Sequence, residues 1–175
     1  MYSFDVDIKV KDEDIKWAHN IGDNITKPAW TLRPYLLSVE EMQKIKYISD
    51  QFPVEPEYAA ILMTPANSIC KTHVDAIAVN EKKEEAKKRG ITQRITAINI
   101  PISVHETSMM DYMQDLESDI IIHSEDLLKP KCWKVNIPHR IDNSKSNFNR
   151  VVLSLSYTQT LEELYEIYNR TKSNI

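Results

Sequence analysis

The sequence predicts a mainly β fold in which antiparallel strands pack as a sandwich or barrel, with helices at its flanks. Three observations predict it. Between residues 58 and 157, short apolar and β-branched runs follow one another, separated by Pro, Asn, Asp and Ser. No helices alternate with these runs in the βαβ rhythm of a parallel sheet. Helical periodicity is confined to 38–52 and 160–170. Successive strands of this kind build sandwiches and barrels, the jelly roll among them.

The elements follow in order. Residues 1–37 mix short apolar pieces with Pro28 and Pro34 and read as strand and loop. Ser38 opens a helix, SVEEMQKIKYISDQF. Its hydroxyl is placed to cap, Glu41 stands three residues on as a capping-box partner, and Val39, Met42, Ile45, Tyr47 and Ile48 recur at helical spacing until Pro53. YAAILMT, starting at Tyr58, reads as a buried strand stopped by Pro65 and Asn67, and SICKTHVDAIAV as a second. NEKKEEAKKRG, ending at Gly90, is a solvated charged insertion. ITQRITAINIPISV reads as a long strand, and SDIIIHS, CWKVNIPHRIDN and NRVVLSLSY as three more. TLEELYEIYNR closes the pattern as a helix, with Thr160 as cap and Leu161, Leu164, Tyr165 and Tyr168 on one stripe. The chain thus divides into an N-terminal extension of helix and strand over 1–57, a β core over 58–157 and a C-terminal helix over 158–175, all in one domain.

Composition removes several functions. With 175 residues the chain can bury a core without cross-links. A formal net charge of -4 supplies no global basic field, so a nucleic-acid partner is not expected. Only two glycines occur, Gly22 and Gly90, which excludes glycine-rich dinucleotide and phosphate loops and the nucleophile elbow. There is no CxxC and no HExxH, so the common zinc signatures are absent. Two cysteines, Cys70 and Cys132, with no secretory leader, fit a reducing cytoplasm and buried small side chains. No apolar run approaches the ~18 residues of a membrane span.

One constellation carries chemistry. His73 and Asp75 lie two residues apart in KTHVDAI, a spacing that places both side chains on one face of a strand. A third ligand must come from elsewhere, and His139 in VNIPHRIDN is the best candidate, because it precedes a strand carrying Arg150. Two imidazoles and one carboxylate form a facial triad that leaves three positions of an octahedral Fe(II) open. Arg150 shares a strand face with Val152, Ser154 and Ser156. An arginine inside a barrel needs an anion, and its planar fork suits a carboxylate such as the distal one of 2-oxoglutarate.

THVD, the distal histidine of PHRIDN and the arginine eleven residues later in NRVVLSLS together resemble the Fe(II)/2-oxoglutarate-dependent dioxygenases. ITQRITAINIPI and N-x-P-H-R-x-x-N followed by RVVLSLS are similar to the branch of aspartyl/asparaginyl β-hydroxylase-like and prolyl-hydroxylase-like proteins, including small phage and marine bacterial members. The resemblance covers residues 58–157. It implies a double-stranded β-helix, a cupin-like variant of the jelly roll. It also implies His73, Asp75 and His139 as iron ligands and Arg150 as the 2-oxoglutarate anchor. The implied reaction consumes O2 and 2-oxoglutarate, with ascorbate in support. It gives succinate and carbon dioxide and hydroxylates an unactivated C–H bond of a small molecule or an amino-acid side chain, free or in a peptide.

Other residues weigh less. Asn99, or Thr96, is placed to hydrogen-bond a co-substrate, and Ser154 lies four residues past Arg150 on the same face. Odd spacing puts Arg94 and Asn99 on opposite faces of their strand, so at most one should meet the pocket. His123 either faces the pocket or ends a strand, His105 belongs to a loop and His19 to the surface. Trp30, Trp133 and Tyr58 read as core. Arg150 in a blander role would pair with Asp142 or end a strand in solvent. Two rival functions remain: a non-catalytic metal-binding protein of the same shape, and a cupin-like enzyme independent of 2-oxoglutarate. A buried Arg150 distinguishes the co-substrate enzyme from the second, since an isomerase needs no buried cation.

Overall fold

The computed structural model describes residues 1–25, 34–75 and 94–173. Pro28, Trp30 and the whole charged NEKKEEAKKRG segment with Gly90 lie outside them. Among the described residues ten antiparallel strands form two sheets. In chain order they are β1 (Ser3–Asp5), β2 (Tyr35–Leu36), β3 (Tyr58–Thr64), β4 (Ser68–Ile69), β5 (Thr96–Ser103), β6 (Met109–Met113), β7 (Ile121–Asp126), β8 (Lys131–Lys134), β9 (His139–Asn143) and β10 (Arg150–Tyr157). The larger sheet runs β1-β8-β5-β10-β3-β2 and the smaller β4-β9-β6-β7. The described helices are α1 (Asp12–Asp23), α2 (Val39–Lys44), α3 (Lys46–Ser49) and α4 (Leu161–Ser173). None is long and apolar enough to cross a membrane.

Strand β10 explains the layering. All eight of its residues are buried, yet the sequence still alternates. Val151, Leu153, Leu155 and Tyr157 enter an apolar core with Ile45, Ile48, Phe52, Leu161, Leu164 and Tyr168 from the helical segments. Arg150, Val152, Ser154 and Ser156 take the opposite face. A strand covered on both sides normally reads as an unbroken apolar run; here the polar half of the pattern marks a cavity wall. On that same wall β3 pairs Thr64 with Arg150 and Tyr58 with Ser156, while β5 pairs Asn99 with Ser154. The β5 register slips between Val151 and Val152, a bulge next to Arg150.

The strand expected at YAAILMT is present over 58–64, that expected at SDIIIHS lies over 121–126 and that at NRVVLSLSY over 150–157, and both capped flanking helices are present. Ser38 and Glu41 form the reciprocal capping box, and Thr160 and Glu163 repeat it at α4. Several expectations need correction. The first helix breaks at Ile45 into α2 and α3 and ends at Ser49, ahead of Pro53. Val39 points to solvent at 81% exposure, so the apolar stripe rests on Met42, Ile45, Tyr47 and Ile48. Tyr165 is also largely exposed, its ring edge-on to Phe4.

Residues 1–37 hold the helix α1 where strand and loop are expected. Its fully buried residues are Asp14, Ala18 and Gly22, and Trp17 and Ile21 pack beside them against the core, a thin apolar stripe. Asp14 is accommodated there by the Tyr47 hydroxyl and Lys44. Nor is this stretch an appendage: β1 pairs with β8, β2 pairs with β3, and α1 packs on β10, β3 and β5. CWKVNIPHRIDN is two strands, not one. It crosses between sheets at Asn136–Pro138, where proline cannot donate to a ladder, so β8 lies in the larger sheet and β9 in the smaller. MMDYM, not singled out as a strand, is β6, the centre of the smaller sheet beside β9.

Candidate metal centre

Over its described residues the SICKTHVDAIAV segment is a regular strand at Ser68–Ile69, where it pairs with β9, and its last four residues lie outside the described ones. Beyond Ile69 it stays tied to the same neighbours by single bonds. Cys70 N donates to Ile141 O, His73 and His139 exchange both backbone hydrogen bonds at 2.9 Å, and Asp75 N donates to Val135 O. The same-face argument from a strand therefore holds without a full strand. The bridge sets His73 directly opposite His139, and the tether to Val135 brings Asp75 back between them.

Each imidazole is oriented by its own loop. His73 Nδ1 lies 2.7 Å from Lys71 O and His139 Nδ1 2.9 Å from Ile137 O. A carbonyl only accepts, so both Nδ1 atoms carry a proton and both rings turn Nε2 towards Asp75, the charged His73 donating to it through Nε2. Those Nε2 atoms converge on one oxygen: Asp75 Oδ1 stands 3.3 Å from His73 and 3.6 Å from His139. The three ligand atoms all lie within 4.8 Å of one another. Adjacent ligands on an octahedral first-row ion with bonds of about 2.1 Å stand about 3 Å apart, so only a slight closing movement is required. Two neutral imidazoles and one carboxylate are a donor set that iron fits, and the His–Asp–His triad points to iron binding.

Electrostatics differ between the two imidazoles. Burial lowers the His73 pKa, but the hydrogen bonds and charges of Asp75 and Cys70 together outweigh it and carry the value up to about 10. Burial lowers His139 to about 4, against the pull of Asp75. Burial would raise the Asp75 carboxyl, yet Arg94 and the two imidazoles hold it well below the usual carboxylate range. Asp75 spends its second oxygen on Arg94, whose Nη1 is 3.2 Å from Oδ2. Arg94 Nη2 in turn donates to Ser154 Oγ at 2.6 Å, and Ser154 donates to Asn99 Oδ1 at 2.6 Å.

These groups line one cavity of about 260 Å³ between the sheets, together with apolar Ala60, Leu62, Met110, Val135 and Ile141. Arg150 lies in the same wall and is 2% exposed. Its Nη1 reaches Thr64 Oγ1 at 3.5 Å, while Nε and Nη2 have no hydrogen-bond partner. Among the described residues no carboxylate pairs with it, Asp142 included, whose Oδ1 accepts from Ser144. Burial lowers its pKa to about 10, so the cation persists at neutral pH.

The structure thus brings His73, Asp75, His139, Asn99 and Arg150 to one cavity. It adds Arg94, which strand alternation assigns to the opposite face from Asn99. Arg94 precedes the first paired residue of β5, so strand periodicity does not govern it. Tyr58 lines the cavity as well, its hydroxyl buried without a partner, whereas Trp133 is core. Cys70 lines it 3.9 Å from His73 Nδ1, and Cys132 is buried elsewhere; both are free thiols. Thr96 bonds Gln159 O, His123 bonds Glu125 and stacks on Tyr2, His105 bonds Thr107, and His19 pairs with Asp23, all away from the cavity.

The chain matches no protein-family model, and no curated protein is similar to it in sequence. Among solved structures it is similar to a chain described as a non-heme monooxygenase in a ThoJ–nickel complex. That likeness has 10% identity and a TM-score of 0.48, and covers 87% of this chain and 71% of that chain.

Proposed function

We propose that this protein is an Fe(II)- and 2-oxoglutarate-dependent oxygenase on a double-stranded β-helix scaffold. His73, Asp75 and His139 are its iron ligands and Arg150 is its co-substrate anchor. One observation carries the reading: three convergent ligand atoms share a cavity with a buried guanidinium that has two unpartnered nitrogens. A buried cation without a counter-charge is costly, and a bidentate carboxylate is what its fork accepts.

When bound, iron, O2 and 2-oxoglutarate supply oxidative decarboxylation of the co-substrate coupled to hydroxylation of a C–H bond. The chain's part is positioning. The carbonyls of Lys71 and Ile137 fix both imidazoles, Arg150 holds the distal carboxylate, and the apolar lining keeps water out. Substrates in keeping with the site are small molecules or amino-acid side chains that enter the cavity, in a single soluble domain with no nucleic-acid partner.

The test is turnover without an added substrate. The purified protein is incubated with Fe(II), ascorbate and 2-oxoglutarate, and succinate is measured. Slow succinate formation that disappears in His73→Ala and in Arg150→Ala is expected. Metal uptake with neither succinate formation nor 2-oxoglutarate binding would instead favour a metal-binding protein or a cupin-like enzyme independent of the co-substrate.

A further inference from the structure

Resting on that metal centre, we infer that Arg94 is a positioning residue that makes Asp75 present a single oxygen to the ion. A carboxylate can chelate through both oxygens, which would consume one of the positions that substrate chemistry needs open. Here the two oxygens have different partners. Oδ1 faces both imidazole Nε2 atoms, and Oδ2 faces Arg94 Nη1. The carboxylate cannot rotate to offer both without giving up the guanidinium.

Arg94 is itself held. Its second arm donates to Ser154 Oγ, and that hydroxyl passes its own proton to Asn99 Oδ1. Donor and acceptor roles run in one direction, from Asn99 accepting to Arg94 donating, so no member competes with another. Arg94, Ser154 and Asn99 are 6%, 0% and 5% exposed, which keeps water from substituting for any of these bonds. Asn99 and Ser154 face each other in the β5–β10 ladder, so the rigid centre of the larger sheet fixes the orientation of a ligand carried by an irregular segment. This gives Asn99 and Ser154 a role different from the co-substrate contact expected of them. They act on the ligand set through Arg94, and Arg150 is left as the cation for the co-substrate.

Titration of the full chain with Co(II), followed by the visible ligand-field bands of the bound ion, tests this. Arg94→Met should weaken Co(II) binding by about 10–100-fold and move the bands, since Asp75 is then free to chelate. Arg94→Lys should recover part of the affinity while the bands stay displaced, because an ammonium restores charge without a two-armed fork. Ser154→Ala should shift both readouts the same way by less, and it decides the matter should circular dichroism find Arg94→Met unfolded. Wild-type affinity and bands in Arg94→Met, or in Ser154→Ala when Arg94→Met does not fold, would overturn the inference. Full recovery in Arg94→Lys would reduce Arg94 to a counter-charge and overturn it as well. A wild-type protein that takes up no Co(II) would instead overturn the metal centre itself, and the inference with it.

Discussion

On the cavity wall built around β9, both imidazoles donate their Nδ1 protons to backbone carbonyls and turn Nε2 to one carboxylate oxygen, to which His73 donates. On the wall built around β10, Arg150 has one long contact and two nitrogens with none. The first wall is complete as a metal-free protein, and an ion would replace a hydrogen-bonded proton. The second wall is incomplete among the described residues, and an incoming anion of the kind proposed would satisfy it. One side is organised by folding and the other waits for a ligand, and each should respond differently when it is altered.

The largest effect is expected on the ligand wall. His139→Ala should abolish measurable Co(II) or Fe(II) uptake, and succinate formation with it, as read by calorimetry and product analysis. If the variant still binds metal with wild-type affinity, His139 is not a ligand and the comparison fails.

Arg150→Met should part stability from function. Loss of the charged anchor should weaken 2-oxoglutarate binding by about 100-fold, the worth of a bidentate charged hydrogen bond near 3 kcal/mol. Without the co-substrate the variant should be more stable, by about 1–4 kcal/mol, because a buried cation has given way to an apolar side chain. Thermal denaturation reads this as a rise of about 2–4 °C per kcal/mol. A fall in melting temperature would mean that Arg150 is already satisfied.

The smallest effect concerns protons. Ligands bind metal deprotonated. His73, raised to about 10, carries a proton at neutral pH, whereas His139, lowered to about 4, does not, and Asp75 is already ionised. Metal uptake near pH 7 should therefore release one proton, from His73. Affinity should rise about tenfold per pH unit and level off as pH approaches 10. Calorimetry in buffers of different ionisation enthalpy counts the proton; a count of two would show His139 charged as well.

Much of the site was legible in the chain. The two-residue spacing of His73 and Asp75 survives because extended backbone alternates even where a regular ladder lapses to a single bridge. Arg150 was legible because β10 alternates polar with apolar residues although it is buried throughout. Arg94 was not, since alternation says nothing of a long side chain reaching back from before a strand begins. Helix α1 escaped because its inner face mixes the large Trp17 and Ile21 with Asp14, Ala18 and Gly22, which leaves the apolar stripe thin. The split of CWKVNIPHRIDN between sheets escaped because β-propensity persists across Asn136–Pro138 while the direction of the chain does not.

That glycine has a consequence for the cavity it never touches. A methyl group at Gly22 would come within 2.5 Å and 2.7 Å of the two γ-carbons of Val151, the residue after Arg150 and on the other face of β10. Helix and strand are in effect pressed together with no shim between them. Any larger residue at that joint would press on the strand that carries Arg150, so the back of the cavity wall tolerates glycine alone without a shift.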